Sequence, residues 1–176
     1  MYKMKKTLTI IALAFALIPA SVAVPAVTQA DKDKAAELVK KMTLEEKCHF
    51  ISGWKDNFFT YPIERLGIRS VLMSDGPQGV RSIGNEAENS TYYPCGIAVA
   101  ASFNREVAHG VGTGIGQDAK ARGISIMLCP GVNIYRNALC GRNFEYYGED
   151  PYLASEQAVN YINGIQEQGI MATIKH

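Results

Sequence analysis

Three short stretches hold the side chains whose types and spacing suit chemistry: Ser74-Asp75-Gly76-Pro77, Gly141-Arg142-Asn143-Phe144-Glu145-Tyr146-Tyr147-Gly148-Glu149-Asp150, and Lys175-His176. The second gathers a guanidinium, carboxylates and three aromatic rings in one segment. A solvated loop rarely spends three rings this way, because each leaves a sizeable apolar area in water. A sugar has hydroxyl edges and C–H faces, so polar groups beside aromatic faces suit it. Arg142 and Glu145 can instead pair and brace the loop. Asp75, before Gly-Pro, reads either as a ligand group or as a turn former. Lys175 and His176 close an apolar run, where an ammonium is costly without partners. The pair therefore invites a ligand, although its place at the end of the chain is a competing reason for exposure.

Each stretch follows a run that reads as a strand. Ser70 to Met73 ends at Ser74-Asp75, Ile124 to Leu128 ends at Cys129-Pro130-Gly131, and Ile170 to Ile174 ends at Lys175-His176. Between the first two, Asn104 caps a helix with an expected apolar face of Val107, Val111, Ile115 and Ala119, and Gly123 lies past its end. Between the second and third, Asp150 caps, Pro151 takes the first helical position, and Ala154, Ala158, Ile162 and Ile165 repeat at helical spacing before Gly169. Strand, helix, strand, helix, strand implies parallel pairing with right-handed crossovers, an α/β fold. All the candidate residues then sit at carboxyl ends of strands, where barrels and doubly wound sheets both place their sites. The long strand-end loops favour a barrel. Two helices come first: Ala35, Leu38, Val39 and Met42 repeat at helical spacing, and Thr43 with Glu46 forms a capping box opening a second helix that Gly53 closes.

The 176 residues are 47% hydrophobic and 20% charged with a formal charge of +1, an ordinary globular composition with no electrostatic case for nucleic acid. Lys3, Lys5 and Lys6, the apolar run Leu8 to Ile18 and the small-residue stretch Pro19 to Ala30 have the layout of a secretory signal peptide, too short for a membrane span. Cleavage is expected after Ala30, with Ala23 and Ala26 as alternatives. The remaining chain, 31–176, is expected in the periplasm or outside the cell, with no membrane partner.

Cys48, Cys95, Cys129 and Cys140 are too sparse for a disulfide scaffold, form no metal-ligand spacing, and read as buried thiols. Asn89-Ser90-Thr91 fits the glycosylation sequon. Gly114-x-Gly116-x-x-Ala119 fits a loose dinucleotide fingerprint, but it lies mid-helix and upstream of a strand, so close helix packing is the better use and a dinucleotide-dependent oxidoreductase is disfavoured. His49 and His109 fall within helices and receive no role. Trp54, Phe58, Phe59 and Tyr61 read as core or as a pocket entrance.

Four motifs together carry a resemblance. Lys41 to Lys47 (KMTLEEK), Met73 to Arg81 (MSDGPQGVR), Pro130 to Asn137 (PGVNIYRN) and Gly141 to Pro151 (GRNFEYYGEDP) resemble, in order, the amino-terminal part of glycoside hydrolase family 3, the β-glucosidase-like group; Thr173-Ile174-Lys175-His176 matches where its next motif begins. The resemblance runs from about Ala35 to His176. It implies a (β/α)8 barrel binding a terminal sugar, with Asp75, Arg142, Lys175 and His176 as ligands of sugar hydroxyls and no metal or organic cofactor. It also implies hydrolysis of β-glucosides with retention.

Gln78 stands where many members carry His, which leaves sugar specificity open. The family's nucleophile Asp and its general acid/base lie later than any residue here. Since such a barrel takes about 250 residues, three strand units read as the amino-terminal portion of a longer enzyme, itself inactive. The alternative is an exported, non-catalytic sugar-binding module.

Overall fold

The computed structural model describes residues 27–81 and 90–176. The expected leader up to position 26, and Asn89 of the sequon, lie outside the described residues. Helix α1 (Gln29–Lys41) starts at a capping box made by Thr28 and Asp31, so the expected cleavage position after Ala30 falls within its first turn. Helix α2 (Leu44–Ser52) opens with the capping box read from the sequence. The Thr43 N–H donates to Glu46 Oε2 at 2.8 Å and the Glu46 N–H donates to Thr43 Oγ1 at 3.1 Å, satisfying two N–H groups that helix geometry leaves unpaired. Gly53, at φ 82°, ends it. Arg65 then ties the two helices together, donating through Nε to Glu46 at 2.6 Å and through Nη2 to the Lys41 carbonyl at 2.8 Å.

Three short parallel strands form one sheet in the order β1-β2-β3: β1 (Met73–Asp75), β2 (Ile126–Leu128) and β3 (Met171–Ala172). Met73 lies beside Ile126, and Ile126 beside Met171. All three strands are shorter than the apolar runs, and the first starts later than Ser70. The reason is a competing partner: the Val71 carbonyl accepts from Thr60 N–H at 3.0 Å, Ser70 Oγ donates to the Thr60 carbonyl at 2.8 Å, and Leu72 bridges antiparallel to Phe59. The segment before the strand takes up its first half. Apolarity alone carries no information about which neighbour a strand pairs with.

The crossovers are α4 (Arg105–Ala121) after β1 and α5 (Pro151–Gln166) after β2, capped by Asn104 and Asp150 as the sequence indicates. The buried face of α4 differs from the expected one. Ala108, Gly112, Ile115, Gly116 and Ala119 are buried, whereas Val107 is exposed. Glycines turn the face by about one position, because they let two backbones touch. A Cβ at Gly112 would sit 2.1 Å from the Tyr161 carbonyl oxygen, and one at Gly164 2.3 Å from that of His109. On α5, Gln157 and Tyr161 join the buried face while Ile162 is only part-buried. Gly112, and Gly116 with its Cβ position 3.1 Å from the Ile165 carbonyl oxygen, serve the helix packing that the sequence reading preferred, whereas Gly114 meets the Tyr93 ring and Gly110 faces open space. Burying Ile115, Ala119, Met127, Tyr147, Tyr161 and Ile165 in one cluster between sheet and helices holds the strand ends at fixed relative positions.

Candidate functional site

All four residues proposed as ligands come to the carboxyl ends of the three strands. Asp75 is the last residue of β1, and its carbonyl accepts from Arg81 N–H at 3.0 Å, closing the Gly76–Gly79 turn. That turn needs its glycines: Gly76 has φ 144°, and a Cβ there would meet the Gly79 carbonyl oxygen at 1.8 Å. The backbone of Asp75 shapes a turn while its carboxylate reaches across the sheet. Oδ1 accepts from Lys175 Nζ at 2.6 Å, joining residues one hundred positions apart. The Lys175 side chain is 18% exposed, so the ammonium has the partner its burial demands. Lys175 is set in place by backbone pairing to the loop after β2, its N–H donating to the Pro130 carbonyl at 3.0 Å and its carbonyl accepting from Val132 N–H at 2.8 Å.

Arg142 enters from the same loop. Its Nε donates to Glu145 and its Nη2 meets His176 Nε2 at 2.9 Å. The Glu145 brace read from the sequence is present, and the guanidinium also meets the residue after the next strand. Glu145 lies buried in the 3-10 turn Asn143–Glu145, against helix α3 (Gly96–Ala100). A Cβ at Gly96 would lie 2.4 Å from the Glu145 carbonyl oxygen, so this glycine sets how closely helix and loop approach. The Glu145 hydrogen bond, foremost, raises the Arg142 pKa above its ordinary value.

An arginine only donates, so His176 Nε2 accepts, and in the neutral ring Nδ1–H faces Asn133 Oδ1 at 3.3 Å. The His176 backbone N–H also donates to Asn133 Oδ1 at 3.1 Å, and Tyr146 presents its ring edge-on with centroids 5.8 Å apart. Asn133 was missed in the sequence. Its signal was a polar side chain in the loop just after β2, the position that made Asp75 conspicuous after β1.

Of the three loop aromatics, only Tyr146 meets the site residues. Tyr147 turns into the core, and Phe144 is half exposed. A cleft of about 750 Å3 lies beside this network, lined by Asn133, Cys140, Tyr146, Lys175 and His176 among others. Asp75 and Arg142 bond to Lys175 and His176 without themselves lining that cleft.

The cysteines correct the sequence reading: all four are free, but only Cys129 is buried, while Cys48 and Cys140 are exposed and Cys95 is intermediate. Trp54 and Phe59 line a separate cleft with Ser70, Ile124 and Ile170, residues just before the strands, so they are no entrance to the carboxyl-end site. His49 packs on Tyr61 and His109 meets Glu167 at 3.0 Å. Among the described residues, no helix is long and apolar enough to cross a membrane.

A network of carboxylate, ammonium, guanidinium, imidazole and amide on one face can grip several hydroxyls of one small molecule, donating and accepting at once. The family profile described as "Glycosyl hydrolase family 3 N terminal domain" matches residues 52–176. Thermostable beta-glucosidase B of Acetivibrio thermocellus is 47% identical over 148 residues, which is 80% of this chain and 20% of that protein. An exo-alpha-(1->6)-L-arabinopyranosidase of Bifidobacterium longum is 37% identical over 147 residues, 78% of this chain and 19% of that protein. Among solved structures, beta-glucosidase 3B of Thermotoga neapolitana in complex with alpha-D-glucose superposes with a TM-score of 0.74 at 36% identity, covering 81% of this chain and 23% of that one. The chain thus spans about a fifth of the length of the curated relatives it matches.

Proposed function

Because the chain belongs to glycoside hydrolase family 3 and is part of its amino-terminal barrel domain, we propose that it is the sugar-gripping portion of an exported enzyme that releases a terminal β-linked glucose or related sugar. The observation that carries this reading is the convergence of Asp75, Lys175, Arg142 and His176 from three strand ends as two adjacent hydrogen-bonded pairs, Asp75 with Lys175 and Arg142 with His176. In this arrangement, the Asp75 carboxylate accepts from two sugar hydroxyls while Lys175 and Arg142 donate to neighbouring ones. His176 and Arg142 already bond each other, so a hydroxyl inserts between them or shares one partner. Such contacts position the ring, and those that tighten toward the transition state accelerate the reaction. Cleavage with retention needs two carboxyl groups about 5 Å apart, one nucleophile and one acid/base. The proposal assigns both to sequence beyond His176.

The test is nitrophenol release from a panel of aryl glycosides. The reading expects activity, highest on a β-glucoside or a close analogue, from a protein extended to the relatives' length, and none from the 176-residue chain alone. Activity of the short chain would refute the assignment of the bond-breaking groups. Inactivity of the extended protein, with the sugar still bound, would favour the non-catalytic module. Export forms part of the proposal, and an intact mass beginning at Asp31 supports it, while a retained Met1 on a cytosolic product counts against it.

A further inference from the structure

At the opposite end of the sheet, where the chain enters the strands, Lys55, Arg69 and Lys120 line a cleft of about 470 Å3 together with Trp54, Phe59 and Leu72. No carboxylate is among the residues that line it. The three cations are exposed and share the cleft with an apolar wall, so they give it a positive potential that an anion complements. Lys55 Nζ stands 4.2 Å from the Trp54 ring centroid and 5.9 Å from that of Phe59, close enough for cation–π attraction, which leaves its N–H donors for a ligand or water.

The apolar wall is already in place. Trp54 and Phe59 exchange backbone hydrogen bonds of 2.8 and 3.2 Å, so binding need not first order the loop. The carbonyl end of α4 borders the cleft and would disfavour an anion, but the Ala119 and Lys120 carbonyls accept from the Arg122 and Gly123 N–H groups. The lining keeps three positive charges.

An inorganic anion would satisfy the cations and leave the aromatic wall unused, and a neutral sugar would do the reverse. A sugar acid uses both. We propose that this cleft is an accessory binding site for an acidic carbohydrate, with carboxylates of uronate units paired to Lys55, Arg69 and Lys120 and C–H faces laid on the apolar wall. The inference is independent of the activity proposed above, because it involves none of the residues at the carboxyl ends of the strands.

Trp54 is the one tryptophan of the chain, so its fluorescence reports on this cleft. Titration of the 176-residue chain with trigalacturonate should change Trp54 emission saturably, more weakly as salt rises, and cellotriose should leave it unchanged. Arg69→Gln and Lys120→Gln replace exposed side chains and should each weaken binding by up to about fivefold, with far-UV circular dichroism unaltered. Calorimetry decides the case in which emission stays silent. Absence of binding in both measurements would overturn the proposal. So would equal binding of cellotriose, sulfate bound as tightly as the uronate, or folded variants that bind like the original chain.

Discussion

Cys129 and Cys140 show how position rather than residue type decides chemistry. Burial pushes the Cys129 thiol up to about 12, so it stays protonated and unreactive at neutral pH. Cys140 and Cys48 are exposed. An aromatic disulfide reagent at pH 8 should therefore titrate Cys48 and Cys140 quickly, Cys95 more slowly, and Cys129 only after the chain is unfolded. A fourth thiol reacting at once would mean that the core around β2 is open. The sequence could not rank these four, because a cysteine carries the same label in a core as in a loop. Asp75 was more legible, since its type, its following Gly-Pro and its place after an apolar run all converged on one strand end. What the sequence could not show was that its carboxylate meets Lys175 rather than its own turn.

Helix α4 carries four glycines between Gly110 and Gly116, and they do not share one use. Gly110 faces open space, so Gly110→Ala should stabilise the chain by about 0.5–1 kcal/mol through the lost backbone freedom of glycine. Gly112→Ala gains the same propensity but drives a Cβ to within 2.1 Å of the Tyr161 carbonyl oxygen. A backbone oxygen cannot swing aside like a side-chain tip, so overpacking costs toward the upper end of about 1–3 kcal/mol and exceeds the gain. Urea unfolding of the two variants should move the midpoint in opposite directions. A shift of the same sign would show that α4 and α5 are not in backbone contact. This also explains why Val107 was misplaced in the sequence reading: apolar periodicity treats glycine as filler, whereas here glycine defines the packed face. Caps were legible because they are local, and Asn104, Asp150 and the Thr43–Glu46 box all stand where the sequence put them.

At the scale of the whole molecule, three strands and two crossovers bring residues from positions 75, 142, 175 and 176 to one face. The parallel order was readable from alternating apolar runs and capped helices, while strand lengths were not, since pairing with residues near Thr60 decides where β1 starts. Met171 in β3 and Ile174 just after it are mostly exposed. Under the proposed function, this chain grips the sugar, and breaking the bond falls to residues outside it. The central claim of that proposal is that Asp75 grips the sugar. The most direct measurement is kcat/KM for Asp75→Asn in the protein extended to its relatives' length, on its best aryl glycoside, with the thermal midpoint recorded alongside. Two charge-assisted hydrogen bonds are together worth roughly 3–6 kcal/mol, and an amide still accepts weakly through its oxygen, so kcat/KM should fall by about a hundredfold or more. The thermal midpoint should show that the variant remains folded. A folded Asp75→Asn enzyme with near-original kcat/KM would contradict the account and leave Asp75 as a turn residue paired to Lys175.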